Sequence, residues 1–190
     1  MRVFFGLELP ADIALQIAAW RDRQLGPAGR PVPPANFHIT LAFVGEIAPG
    51  PLERLCQAVD DALQRARPAG GELVLDCAGY WPRPGIYWLG PSTWPESLSQ
   101  LATKLRQLAT VAGARRDRRP FQPHISLLRN CSTAPAAPVS QSAICLAYRD
   151  FTLFESRQGK TGVSYHPMQQ WELAPPAVPA PSFPGTPALG

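Results

Sequence analysis

No stretch of this sequence approaches the run of roughly 18 uninterrupted apolar residues that a membrane-spanning helix needs. The N-terminal MRVFFGLELP carries one arginine, a short apolar run and an early Glu8; that is not the pattern of a secretory signal, and the protein is expected in the cytoplasm. Lysine is nearly missing, since among 18 Lys and Arg only Lys104 and Lys160 are lysine. Cysteine is sparse as well. Cys56, Cys77, Cys131 and Cys145 form no Cys-x-x-Cys pair, which argues against a zinc knuckle or a dithiol redox motif and leaves reduced, mostly buried thiols. The only histidines are His38, His124 and His166, without His-x-His or His-x3-His spacing. Zinc held by these three stands as an alternative with nothing beyond the count in its favour.

With 45% apolar and 17% charged residues over 190 positions, the chain is long enough to bury one sizeable core. The net charge of +4 rests on arginine, whose guanidinium fork matches phosphate oxygens, and so suits a phosphate-bearing partner. From Ala174 onward the text APPAVPAPSFPGTPALG keeps neither helical nor strand periodicity. Residues 1–173 are therefore expected to form a single domain and residues 174–190 a Pro/Ala-rich disordered tail.

Along residues 1–173, strand-like and helix-like patterns alternate. Residues 3–9 read as an apolar strand, followed after Pro10 by a helix in which Ile13, Ile17 and Trp20 recur near a period of 3.6. The segment RPVPPA is a proline-stiffened approach to the strand of His38. Residues 51–65 predict a helix with Leu52, Leu55, Cys56, Val59 and Leu63 on one face, and 97–108 another with Leu98, Leu101, Leu105 and Leu108. Strands are expected at 72–78, 86–89, around His124, and at 143–154 and 163–173. The order describes an α+β protein in which two histidine strands occupy comparable places in two halves.

Those two strands read NFHITLAFV and QPHISLLRN. Successive strand side chains point to opposite faces, so Phe37, Ile39, Leu41 and Phe43 are expected on one apolar face and His38 with Thr40 on the other. In the second strand Ile125 and Leu127 turn to the core while His124 and Ser126 share the opposite face. Each strand thus presents an imidazole and a hydroxyl about 6–7 Å apart. Two such strands facing one cleft suit acid–base chemistry at a phosphate: one imidazole takes a proton, the other gives one, and the hydroxyls hold the non-bridging oxygens. Phe4, Phe5, Tyr80 and Trp81 read mostly as core, with base stacking as the alternative use.

The pair HITL and HISL resembles the paired His-x-Ser/Thr-x signature of the 2H phosphoesterase superfamily. The surrounding segments RVFFGLELP, GRPVPPANFHITLAFVGEI, IYWLG, RPFQPHISLLR and FTLFESR resemble, in the same order, its bacterial RNA 2',3'-cyclic phosphodiesterase branch, also called 2'-5' RNA ligases. The resemblance spans Arg2 to Leu173. It implies a bilobed, pseudo-twofold α+β domain with two antiparallel sheets flanking a central cleft and helices outside. It also implies metal-independent opening of a 2',3'-cyclic phosphate to a 2'-phosphate, no cofactor, and ligation in reverse in some members. Carried over, His38 is the proton donor to the leaving 3' oxygen, His124 the acceptor that activates water, and Thr40 and Ser126 the phosphate-binding hydroxyls. Arg119 resembles the substrate-side arginine; its alternative is a solvated charge beside Arg115, Arg116 and Arg118. The expected partners are RNA ends or small nucleotides with a 2',3'-cyclic phosphate, met by a monomer. A non-catalytic RNA-end binding module is the competing reading.

Overall fold

In a computed structural model the described residues are 1–140, 142–160 and 162–176. The chain runs β1 (Arg2–Glu8), α1 (Ala11–Gln24), β2 (Arg30–Pro31), a 3-10 turn (Pro34–Asn36), β3 (His38–Glu46), α2 (Pro49–Arg65), β4 (Gly71–Leu75), β5 (Cys77–Trp81) and β6 (Ile86–Gly90). It continues through α3 (Glu96–Val111), β7 (Ile125–Arg129), β8 (Ile144–Tyr148), β9 (Asp150–Gly159) and β10 (Gly162–Glu172). Two four-stranded antiparallel sheets result, ordered β10-β9-β1-β3 and β2-β7-β6-β5. In each lobe a strand and a helix precede the histidine strand, which returns antiparallel to the first: β1–α1–β3 in one, β6–α3–β7 in the other.

A third element lies outside the expected two sheets. The apolar run at 72–78 is cut at Asp76, whose carboxylate accepts hydrogen bonds from the Ser92 amide (2.7 Å) and hydroxyl (2.8 Å). The run at 143–154 is interrupted at Arg149, whose carbonyl accepts from the Leu173 amide at 2.8 Å. The freed pieces β4 and β8 pair with each other as a two-stranded ladder, while their continuations β5 and β9 enter different sheets. This ladder therefore fastens one lobe to the other. Ala174, assigned by composition to the tail, donates to the Pro68 carbonyl and accepts from the Gly70 amide; the tail beyond 176 lies outside the described residues.

Helical periodicity places the core. Ile17, Ala14 and Trp20 of α1, Leu52, Leu55 and Val59 of α2, and Leu98, Leu101 and Leu105 of α3 are all buried, each fully buried leucine, isoleucine or valine contributing about 1.5–3 kcal/mol. Among the cysteines only Cys131 is buried, and Cys145 is exposed, because β8 shows one face to solvent. Two arginines on helices fasten the segments that lead into the histidine strands. Buried Arg21 of α1 donates to the Val32 carbonyl (2.6 Å) and lies over the Phe37 ring. Arg106 of α3 lies over Phe121.

Glycine is needed where β6 passes the second histidine strand. At Gly90 a methyl group would run into the Pro123 carbonyl oxygen and crowd the His124 Cα. Gly90→Ala is expected to destabilise the fold by about 2 kcal/mol, within the range for overpacked sites, read as a fall in the urea midpoint at unchanged slope.

Candidate active site

Strict alternation breaks in each histidine strand at the same distance from the histidine, and β3 breaks a second time at Val44, between the Val3–Gly45 and Phe4–Phe43 pairs. Between β1 and β3, Phe5 pairs with Ala42 and Gly6 with Thr40, leaving Leu41 as an extra residue. Between β6 and β7, Tyr87 pairs with Leu128 and Trp88 with Ser126, leaving Leu127 extra. These are β-bulges, which reverse the sides of everything that follows. Leu41 and Ala42 are both buried, and so are Leu127 and Leu128. Each bulge carbonyl finds a donor from elsewhere: Leu41 O from Arg106 Nε at 3.3 Å, Leu127 O from the Val32 amide at 2.9 Å.

The bulges correct one expectation and expose one omission. Phe43 does not join the buried face of Phe37, Ile39 and Leu41; it stands 56% exposed and lines the cleft with His38 and Thr40. Arg129, which alternation would aim into the core, lines the same cleft beside His124 and Ser126. The signal was present in the sequence only at Leu-Leu-Arg, two apolar neighbours followed by a charge that does not fit the core; Leu-Ala-Phe gives no such conflict. An arginine at an apolar register position is costly to bury unpaired, and a bulge resolves the conflict.

His38, Thr40, His124, Ser126 and Arg119 all line one cleft of about 1060 Å³. Its two imidazoles are held alike. His38 Nδ1 lies 2.8 Å from the Asn36 carbonyl and His124 Nδ1 lies 2.8 Å from the Gln122 carbonyl, in each case the residue two positions earlier. A carbonyl only accepts, so in the neutral ring the proton sits on Nδ1 and the Nε2 lone pair is left for other partners. Such a bond, worth about 1 kcal/mol net, biases the tautomer several-fold.

Aromatic side chains pack around both rings. Tyr165 meets His38 edge-on at 4.7 Å between centroids and Phe4 lies at 4.8 Å; Trp81 meets His124 edge-on at 4.5 Å. Phe4 and Trp81 thus reach the cleft, whereas Phe5 is fully buried and Tyr80 donates to the Cys131 carbonyl (3.0 Å). Burial is the main reason that His38 is pushed down to about 4, opposed by the Asn36 hydrogen bond and reinforced by the charges of Arg129 and His124. His124 is lowered chiefly by burial too, against the Gln122 hydrogen bond, with Arg129 and Arg119 adding to the effect.

Arg119 reaches the cleft rim but is already engaged. Its Nε and Nη2 donate to the Asp117 carboxylate at 3.0 and 2.9 Å, and its side chain is 77% exposed. Asp117 is held down to about 2 chiefly by this hydrogen bonding. His166 is on β10, its Nε2 2.9 Å from the Ser164 hydroxyl. Among the described residues no three His, Cys, Asp or Glu side chains are grouped to hold a metal ion, and no helix is long and apolar enough to cross a membrane.

A bilobed α+β fold in which each lobe contributes an imidazole and a hydroxyl to one cleft is the architecture of a 2H phosphoesterase. The family model described as "2'-5' RNA ligase superfamily" matches residues 9–155, and the chain belongs to that superfamily. An Escherichia coli (strain K12) protein named RNA 2',3'-cyclic phosphodiesterase is 40% identical over 173 residues, covering 90% of this chain and 96% of its own. A Thermus thermophilus relative of the same name is 28% identical over 186 residues, covering 91% and 90%. The crystal structure of E. coli LigT complexed with 3'-AMP superposes with a TM-score of 0.82 at 39% identity, covering 90% of this chain and 97% of that one.

Arg129 depresses both imidazoles through its charge, so its removal must raise both pKa values. For Arg129→Gln the pH optimum of kcat/KM is expected to move upward, with a loss of about 10²–10³ in kcat, the size of one lost oxyanion donor. An unmoved optimum in a pH-rate series would contradict this.

Proposed function

We propose that the chain opens a 2',3'-cyclic phosphate at an RNA or nucleotide end to a 2'-phosphate, by two-histidine acid–base catalysis that uses no metal ion. The observation that carries this reading is the matched pair of imidazoles, each with Nδ1 tied to a backbone carbonyl and Nε2 left free, in one cleft with two hydroxyls and Arg129. The printed name of the E. coli relative supports the same substrate.

His124 Nε2 takes a proton from water as the water oxygen bonds to phosphorus. The bond from phosphorus to the 3' oxygen breaks, and His38 Nε2 delivers a proton to that oxygen. Thr40, Ser126 and Arg129 hold the non-bridging oxygens, where charge builds. Arg119 keeps a rim position with Asp117 as its partner and meets the substrate's outer phosphates. Phe43, exposed in the cleft, offers a stacking face for a base.

In the protein's own field both histidines are neutral at pH 7, because burial and Arg129 lower them. A cyclic phosphate anion between them counters Arg129 and favours one imidazolium, so His38 takes up from solvent, as the substrate binds, the proton that it donates. The same opening with a ribose 5'-hydroxyl in place of water leaves a 2'-5' phosphodiester, which is ligation in the same site. We place this activity in the cytoplasm, in a monomer whose single bilobed catalytic domain is residues 1–173.

Phosphorus NMR in EDTA with a cyclic mononucleotide and a cyclic-phosphate oligonucleotide is expected to show a 2'-phosphate product, and His38→Ala or His124→Ala to lower kcat about 10²–10⁴-fold. A 3'-phosphate product would reverse the assigned proton roles. Binding without turnover would favour an RNA-end binding module, and full activity in either variant would sink the mechanism.

A further inference from the structure

The loop after α3 reads GARRDRRPFQPH, and Arg115–Arg119 hold four arginines against one carboxylate. That excess of three compares with a formal net charge of +4 for the whole chain. Asp117 does not neutralise it evenly, since its carboxylate is taken by the Arg119 side chain and amide. Arg115, Arg116 and Arg118 are exposed and make no ion pair among the described residues.

The loop is fastened to the cleft. Arg106 Nη1 donates to the Arg119 carbonyl at 2.8 Å while its Nε donates to Leu41 O in the bulge of β3. Asp117, Arg119, Pro120 and Gln122 form part of the cleft wall. The wall holds five arginines, Arg2, Arg83, Arg106, Arg119 and Arg129, against Asp117 as its one carboxylate among the described residues. Cationic surface therefore runs from the phosphate-binding centre out to the arginine loop with Asp117, paired to Arg119, as the one opposing acid among the described residues. A cleft of about 1060 Å³ sits at the upper end of small-molecule sites, about 300–1000 Å³, and accommodates more than one nucleoside cyclic phosphate.

We propose that Arg115, Arg116 and Arg118 bind the backbone phosphates of an RNA strand whose cyclic-phosphate end sits between His38 and His124. An oligonucleotide end is then a better substrate than a cyclic mononucleotide. This rests on the phosphodiesterase reading above and adds to it a second binding surface. Repeated phosphates are the partner that exposed guanidinium groups fit best where the one nearby carboxylate, Asp117, is taken by Arg119, and such contacts act through counterion release.

The test compares wild type with the triple variant Arg115→Gln/Arg116→Gln/Arg118→Gln. For a 2',3'-cyclic mononucleotide kcat/KM should be unchanged. For a short oligoribonucleotide ending in a cyclic phosphate it should fall about tenfold at low salt, with its log–log salt slope shallower by about 2, three phosphate contacts' worth for a single strand. Equal loss on both substrates, or no loss on the oligonucleotide, overturns the proposal; the latter result would leave the loop to an acidic protein partner. Fluorescence anisotropy with a 2'-phosphate-ended oligonucleotide reads the loop independently of turnover. If wild type opens neither substrate the phosphodiesterase reading fails, and the difference in binding between the two proteins still decides the role of the loop.

Discussion

Everything the cleft does depends on one short hydrogen bond made twice, from an imidazole Nδ1 to the carbonyl two residues before it. The bond fixes the ring's tautomer and rotation with atoms of its own strand entry, so neither histidine needs a partner from the other lobe. It leaves Nε2 outside that bond in both places. The proline-rich segments PVPPANFH and PFQPH lie directly before the two rings: the first forms the 3-10 turn Pro34–Asn36 whose last carbonyl meets His38, and in the second Pro123 biases Gln122, whose carbonyl meets His124, toward an extended backbone. Arg21 over Phe37 and Arg106 over Phe121 then clamp those segments from the helices.

The symmetry of the two lobes is broken where chemistry requires it. The bulges at Leu41 and Leu127 occupy the same step after the histidine, yet they deliver different side chains to the cleft, Phe43 from one lobe and Arg129 from the other. An aromatic face suits a base and a guanidinium suits a phosphate. A strictly repeated pair of strands would offer two copies of one function; the single difference after the bulge converts the pair into a site with an orientation. The cost is electrostatic, because Arg129 opposes protonation of both imidazoles, and the substrate's own negative charge offsets it.

Much of this was legible in the residues. Alternation around HIT and HIS placed His38, Thr40, His124 and Ser126 on one side, and period-3.6 patterns found all three helices. What failed was alternation carried one residue too far, through Leu41 and Leu127, because a bulge is a tertiary choice that local pattern registers only as two adjacent apolar residues. The division of 72–78 and 143–154 was hidden for a related reason: Asp76 breaks its strand by binding Ser92, sixteen positions away, and the β4–β8 ladder joins distant parts of the chain. For Arg119 the sequence leaves a substrate contact and a solvated charge both open; its bidentate pairing with Asp117 two residues earlier is a geometry that spacing alone does not specify.

The central claim is that both cleft histidines rest neutral with the proton on Nδ1 and gain a proton only when a phosphate anion sits between them. Nitrogen-15 NMR of histidine-labelled protein at pH 7 measures this directly. The account predicts protonated Nδ1 and unprotonated Nε2 signals for both His38 and His124, with one ring becoming imidazolium on addition of a nucleoside 2'-phosphate. An Nε2-protonated tautomer at either ring, or no change in charge on phosphate binding, would contradict it.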